Sequence, residues 1–473
     1  MSLSLDLADF VASLRFEHVP GRVVDSVKDR VMDTLGICTA ARGGDAAGAA
    51  RALAAEWGGP PVATLVGEET RLPAPAAALV NGTYAHSLDF DDTHLPSVVH
   101  PSAPMLPALL AVAEASRAGG REFLVSAAAA YEVNTRLAMA QFDPELGNSI
   151  FFERGLHATS IIGAVAAAGA CARLRGLDRE GIAHAIAIAA SMGAGLIEAN
   201  RGGGTVKKFH GGWAAHCAVV AAGMAAHGLT GPDTVLEGRF GFFQAFCGDR
   251  WRPTEVTRDL GSAWNTPGIF FKPYPCNHFT HAVADAAFAL RAQGVGPEDL
   301  VEVQIGTAAA SLRTIGEPIA EKRNPRSAYH GAFSAPWVFA LAMAGGGGLG
   351  LSSSDFTEGL LQDPVRRRIA GLCEVVADAG CDAVFPHQFP AVVTVRLADG
   401  RRLTERVMTN LGSPERPLSR AQLLSKLEAN AGDAAPAIAE ACRVLDAQAT
   451  VTPLLVATRS QSPTSLEREG ANR

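Results

Sequence analysis

The runs IIGAVAAAGACARL, residues 161–174, and AIAIAASMGAG, residues 185–195, decide the fold class. Each is too short and too rich in alanine for a membrane span of about 20 residues. Both read as helices buried in a globular core. The same texture extends outward, and from the N-terminus to about residue 265 the pattern is helical. Val23, Val27, Val31 and Leu35 mark one apolar face of a helix that starts after Pro20 and meets Gly36 near its end. Abundant Ala and Gly permit close helix approach, so several fully buried helices are expected. No fixed period recurs, which argues against a solenoid.

From about residue 270 the pattern changes. Val301–Ile305 alternates apolar and polar residues, and Val392–Leu397 followed by Arg402–Val407 reads as a hairpin turning at Asp399-Gly400. In GSPERPLSRAQL, Ser419 and Gln422 have capping-box spacing, which predicts a helix from Arg420 to about Ala429 that returns to the first domain. The expected fold is mainly α: a helical domain of residues 1–268 and 408–460, a smaller α+β domain of 269–407, and a polar tail of 461–473.

A chain of 473 residues exceeds one ordinary core. Its 41 basic and 48 acidic residues give a net charge of −7, which argues against nucleic acid or an anionic membrane as partner. Eight scattered cysteines form no C-x-x-C pair, so neither disulfides nor a structural metal is expected. Asp6 and Asp9 precede any basic residue, unlike a secretory or transit leader, and the expected location is the cytoplasm.

Chemistry concentrates in NGTYAHSLDFDDTHLPSVVHPSAPM, residues 81–105. A helix continuing from Ala76 through the acidic run would place Asp89, Asp92 and Thr93 on one face and turn Asp91 away. His100 follows in a short loop. Ser102 then reads as an N-cap and Pro104 as an early-turn proline, starting a helix to about Ser116 whose free N–H groups could meet an anion. The same residues also suit a solvated acidic face with His100 capping a turn.

Two basic stretches stand apart. In Arg201–Trp213, Gly202 to Gly204 allow close backbone approach and Lys207 could reach a carboxylate, although a surface loop with solvated lysines fits equally. In Phe271–His281, Pro273 and Pro275 restrain Lys272 ahead of a helix bearing His281 and Asp285. His157 precedes a long apolar helix, near its positive end, where a neutral imidazole is favoured; a hydrogen-bonded core histidine is the plainer reading. Gly345, Gly347 and Gly350 satisfy G-x-G-x-x-G but follow a helical run, which is the wrong context for a nucleotide loop.

Taken together, HSLDFDDTH, HPSAPMLPALLAVAE, RGLHATS, VKKFHGGWAAH and KPYPCNHFTHAVADAA resemble the MmgE/PrpD family, which includes 2-methylcitrate dehydratases, cis-aconitate decarboxylases and iminodisuccinate epimerases. The resemblance spans most of the chain. It implies an all-helical domain built from both chain ends, a smaller α+β lid domain, a homodimer, and an interdomain pocket that needs no metal or organic cofactor. It places active-site positions on Asp89, Thr93, His100, His157, Lys207 and Lys272; Asp92, Ser102, His210, Asn277 and His278, from the same segments, are expected as further substrate contacts. Three departures point away from decarboxylation: a loop from Asp89 to His100 one residue longer than in the decarboxylase, Asn277 in place of a histidine, and no evident pocket tyrosine in residues 311–331.

These residues suit proton abstraction beside a carboxylate followed by loss of a leaving group. His100 is the expected base or acid, oriented by Asp89; His157 handles the opposite proton; Lys207 and Lys272 stabilise the charge that develops. The leading expectation is a dehydratase of a 2-methylcitrate-like hydroxy-polycarboxylate. The alternatives are an epimerase or isomerase of a small dicarboxylate, a cis-aconitate-type decarboxylase, and a catalytically silent helical scaffold.

Overall fold

The computed structural model describes residues 2–199 and 204–459. Helices dominate, and two apolar cores form. One gathers side chains from Leu7 to Ile269 together with Leu418 to Leu455; the other runs from Tyr274 to Leu397. Helix Gly21–Ala41 carries Val23, Val27, Val31 and Leu35 into the first core as the spacing predicts. Gly36 lies inside that helix and does not end it. A Cβ there would stand 2.9 Å from Leu427 Cδ1, so the glycine marks where helix Arg420–Ala431 lies against it.

The two alanine-rich runs form helices Ala158–Leu174 and Arg179–Met192. Among the described residues no helix is long and apolar enough to cross a membrane. Helices Ala74–Ser87 and Val206–Ala226 cross where both are reduced to glycine: a Cβ on Gly82 would stand 2.9 Å from the Gly212 Cα. That crossing fixes the start of the second helix against the end of the first.

The second core packs against a four-stranded sheet in the order Cys373–Ala377, Leu300–Thr307, Ala391–Leu397, Arg402–Val407. The hairpin forms as expected, with Arg396 opposite Arg402 and Gly400 at φ 87° in the turn. Cys373–Ala377, which has no turn signal beside it, joins in parallel to Leu300–Thr307. Helix Ala335–Ala344 precedes Gly345, so the glycine motif does not follow a strand. Ser419 and Gln422 form the capping box of Arg420–Ala431.

Candidate active site

The acidic run is not helical. Helix Ala74–Ser87 stops, and Asp89 takes φ 52°, a left-handed conformation that Asp tolerates better than most residues. Thr93 then forms a two-way backbone bridge to Phe270, with Thr93 N donating to Phe270 O at 2.9 Å and Phe270 N to Thr93 O at 2.8 Å. This bridge brings the 270–272 segment beside the acidic turn. The single helical face expected for Asp89, Asp92 and Thr93 is therefore replaced by a turn that sends them apart.

Asp89 stands between two lysines. Lys207, in the first turn of Val206–Ala226, donates from Nζ to Oδ1 at 2.8 Å. Lys272 Nζ lies 3.2 Å from Oδ2 and donates to the Asp89 carbonyl at 2.7 Å. All three side chains are at most 8% exposed. Burial alone would push the Asp89 carboxyl up, but the ammonium groups of Lys207 and then Lys272 outweigh it and hold the group well below the usual carboxylate range. Burial opposes charge on Lys207 as well, and the Asp89 carboxylate overcomes it and raises the ammonium above its ordinary value. Two cations against one anion leave a net positive charge.

His100 is tethered at three points. Its Nδ1 lies 2.9 Å from the Asp92 carbonyl and 3.1 Å from Thr93 Oγ1, and its backbone N donates to Thr159 Oγ1 at 3.0 Å. A carbonyl only accepts, so Nδ1 carries the proton and Nε2 holds a lone pair in the neutral ring. Burial holds this imidazole down to about 4, the Asp91 and Asp89 charges opposing and Lys272 reinforcing it. His157 sits at the N-cap of Ala158–Leu174, with its Nδ1 2.9 Å from His210 Nδ1, so the pair shares one proton. Burial, then the neighbouring His86, His210 and Lys207, put His157 well below the ordinary imidazole value.

A cavity of about 640 Å³ opens here, lined by Asp89, Thr93, His100 and His157 from the helical part. Lys207, Lys272, Asn277 and His278 complete its polar wall. Asn277 also caps the following turn through Oδ1. Neither ring nitrogen of His278 has a hydrogen-bond partner, and burial keeps its value well below the ordinary one. Among the described residues no three His, Cys, Asp or Glu side chains converge to hold a metal ion.

Three expected substrate contacts lie elsewhere. Asp92 accepts from Arg30 Nη1 at 2.8 Å and from Ser102 Oγ at 2.6 Å, and its second oxygen takes Ser102 N at 3.0 Å, so its carboxylate is fully used in a buried structural network. Ser102 is the first residue of helix Ser102–Ser116, not its cap, and its hydroxyl also meets Tyr131. His210 stands behind His157, off the cavity wall. Gly202 and Gly203 lie outside the described residues.

The fold also adds groups that sequence reading missed. Arg313 and Thr314 line the cavity. Tyr329, from the segment where no pocket tyrosine is evident in the sequence, stands beside Lys207 and Lys208, and burial pushes its phenol up to about 12. His86 sits behind His100 and His157, bound to Asp91. In the sequence it opens the HSLDFDDTH motif, where no role is assigned to it.

Comparison with known proteins adds independent findings. The MmgE/PrpD N-terminal domain matches residues 5–254 and the MmgE/PrpD C-terminal domain residues 274–449. Human cis-aconitate decarboxylase is 30% identical over 450 residues, covering 91% of this chain and 88% of the human protein. The cis-aconitate decarboxylase of Mus musculus is 28% identical over 440 residues, covering 91% and 87%. That of Aspergillus terreus is 26% identical over 453 residues, covering 90% and 89%.

Proposed function

The chain belongs to the MmgE/PrpD family, and from that premise we propose that it is a lyase acting on a small polycarboxylate, dehydrating a hydroxy-tricarboxylate of the 2-methylcitrate kind. One observation carries this reading. Two imidazoles on separate segments and a net cationic Lys207–Asp89–Lys272 cluster face one cavity.

His100 Nε2 takes the proton from the carbon next to a carboxylate. The electron pair released moves toward that carboxylate, where Lys207 and Lys272 stabilise the added charge more in the transition state than in the ground state. The pair then forms the alkene as the C–O bond breaks; His157, protonated from solvent once the carboxylates of the anionic substrate stand beside it, hands that proton to the departing oxygen, which leaves as water, and His100 releases its proton to solvent. Asp89 keeps the Lys207 ammonium charged and aims both lysines.

A second reading comes from the relatives: decarboxylation of cis-aconitate, the activity named for the human, murine and Aspergillus terreus proteins. Purified protein incubated with 2-methylcitrate, citrate or cis-aconitate and followed by proton NMR distinguishes the two. Collapse of the 2-methylcitrate methyl doublet to an allylic methyl singlet, with rising ultraviolet absorbance, supports dehydration. Release of carbon dioxide from cis-aconitate supports the second reading. No turnover and no thermal shift with any of the three would remove the lyase assignment.

A further inference from the structure

Arg313 lines the cavity from the α+β side and has no part in the chemistry above. It belongs to helix Ala309–Ile315, is exposed, and among the described residues its guanidinium has no ion-pair or hydrogen-bond partner. The other arginine in the wall, Arg154, gives Nη1 to the Phe246 carbonyl at 2.7 Å. Arg313 therefore keeps all its N–H donors free, in a planar fork that fits a carboxylate.

The segment that carries Arg313 is held in place. Lys322 is buried, and its Nζ donates to the Thr314 carbonyl at 2.6 Å and to the Phe333 carbonyl at 2.9 Å. Thr314 and Phe333 both line the cavity, and the Phe333 ring centroid lies 5.2 Å from Lys207 Nζ. Phe333 thus links the segment bearing Arg313 to the inner lysine. Charge gives a polycarboxylate a use for both cationic positions. Lys207 and Lys272 are shared with Asp89, so their surplus charge matches a single substrate carboxylate. The acidic residues Glu153 and Glu198 also stand in the wall, and they disfavour a second carboxylate except where a cation is free to meet it.

Resting on the function proposed above, we infer that Arg313 is a specificity-determining residue whose guanidinium binds, through two N–H groups, the substrate carboxylate farthest from the carbon that loses its proton. In a 2-methylcitrate-like molecule this is the carboxymethyl arm, while the carboxylate beside the reacting carbon lies at Lys207 and Lys272. The remote carboxylate carries the same charge in the ground state and the transition state. Arg313 binds both equally, so it acts on KM and not on kcat. It selects tricarboxylates of this shape over diacids that lack the arm.

Steady-state kinetics with 2-methylcitrate and 2,3-dimethylmalate provide the test. The second compound keeps the reacting carbon, its carboxylate and the hydroxyl but carries a methyl group in place of the carboxymethyl arm. We expect Arg313→Gln to raise KM for 2-methylcitrate about 10–10²-fold at constant kcat, and to leave KM for 2,3-dimethylmalate, or its Ki where turnover is slow, within about twofold of wild type. An unchanged KM for 2-methylcitrate, equal changes for the two compounds, or a loss confined to kcat overturns the inference. So does a selective rise in KM from Arg154→Gln with none from Arg313→Gln. If Arg313→Gln melts below wild type, Arg313→Lys decides, because it keeps the charge without the fork. A rise of about tenfold in KM for 2-methylcitrate alone supports the anchor, and a wild-type KM or a shift with both compounds overturns it. Calorimetric binding of tricarballylate, which has three carboxylates and no hydroxyl to lose, separates the failures. If wild type does not turn over 2-methylcitrate but Arg313→Gln weakens tricarballylate binding about tenfold or more, the dehydratase reading falls and the anchor stands. If wild type dehydrates 2-methylcitrate while Arg313→Gln changes neither KM nor tricarballylate affinity, the anchor falls alone.

Discussion

Asp89 concentrates the site's electrostatics in one side chain, because two buried ammonium groups depend on it. Removing one member of a buried charge group leaves the rest uncompensated, so Asp89→Asn should cost about 3–5 kcal/mol in a urea titration. A loss below about 1 kcal/mol would show that the lysines find other partners. The pH dependence follows from the signs of the shifts. The folded value of Asp89 is depressed, so its contribution is complete above the unfolded carboxylate value of about 4 and fades only below it. His94, His100 and His210 have folded values of about 4, below the ordinary imidazole value of about 6.5, so across that window the unfolded chain binds protons the folded one refuses. The urea midpoint should therefore fall as pH drops from 6.5 toward 4, and a flat midpoint would contradict the burial of these rings. Residue types and spacing left Asp89, His100, His157 and both lysines open between site and scaffold, and the family resemblance singled them out. Neither could reveal that Asp92 and Ser102 are already used, because Arg30, which claims Asp92, lies on a distant helix.

Among the elements, the crossing of Ala74–Ser87 with Val206–Ala226 aligns the site, since Asp89 and His86 follow from one helix and Lys207 and His210 from the other. Any side chain at Gly82 forces the helices apart. Gly82→Val should cost about 1–3 kcal/mol by overpacking and reduce turnover with it. Gly223→Ala on the same second helix is the control, because a Cβ there meets nothing within 4 Å and should leave the melting temperature unchanged or raise it. Equal effects from the two would mean that the crossing is unimportant. Local signals made the regular elements legible: the capping box at Ser419 and the turn at Asp399-Gly400 each involve residues a few positions apart. Cys373–Ala377 escaped because a parallel strand finds its partner through a long crossover, with no adjacent turn to announce it. The acidic run misled for a related reason. Asp89 leaves the helix by adopting φ 52°, and the bridge to Phe270 that organises the turn is made by a segment remote in sequence.

At the scale of the whole molecule, distant parts of the chain support the site together. Lys426, on the returning helix Arg420–Ala431, lies 2.8 Å from Asp33 on Gly21–Ala41, donates to the Phe90 carbonyl at 3.3 Å and sits 3.8 Å over the Phe90 ring. Phe90 adjoins Asp89, so this buried contact ties the return helix to the turn that carries Asp89. Burial pushes the Lys426 ammonium down and the Asp33 carboxyl up, each opposed by the other's charge, so the pair survives through its geometry. Lys426→Met alone strands Asp33 and should cost about 3–5 kcal/mol, whereas Lys426→Met with Asp33→Leu removes both charges and should recover most of that loss. Activity should not recover in parallel. The double variant still leaves the Phe90 carbonyl without its donor and the ring without its cation, so the turn carrying Asp89 loses a tether even when the helices repack. The expected result is a melting temperature near wild type with kcat still reduced. If stability and kcat return together, the return helix contributes only to folding and the site takes its shape from the first helices alone.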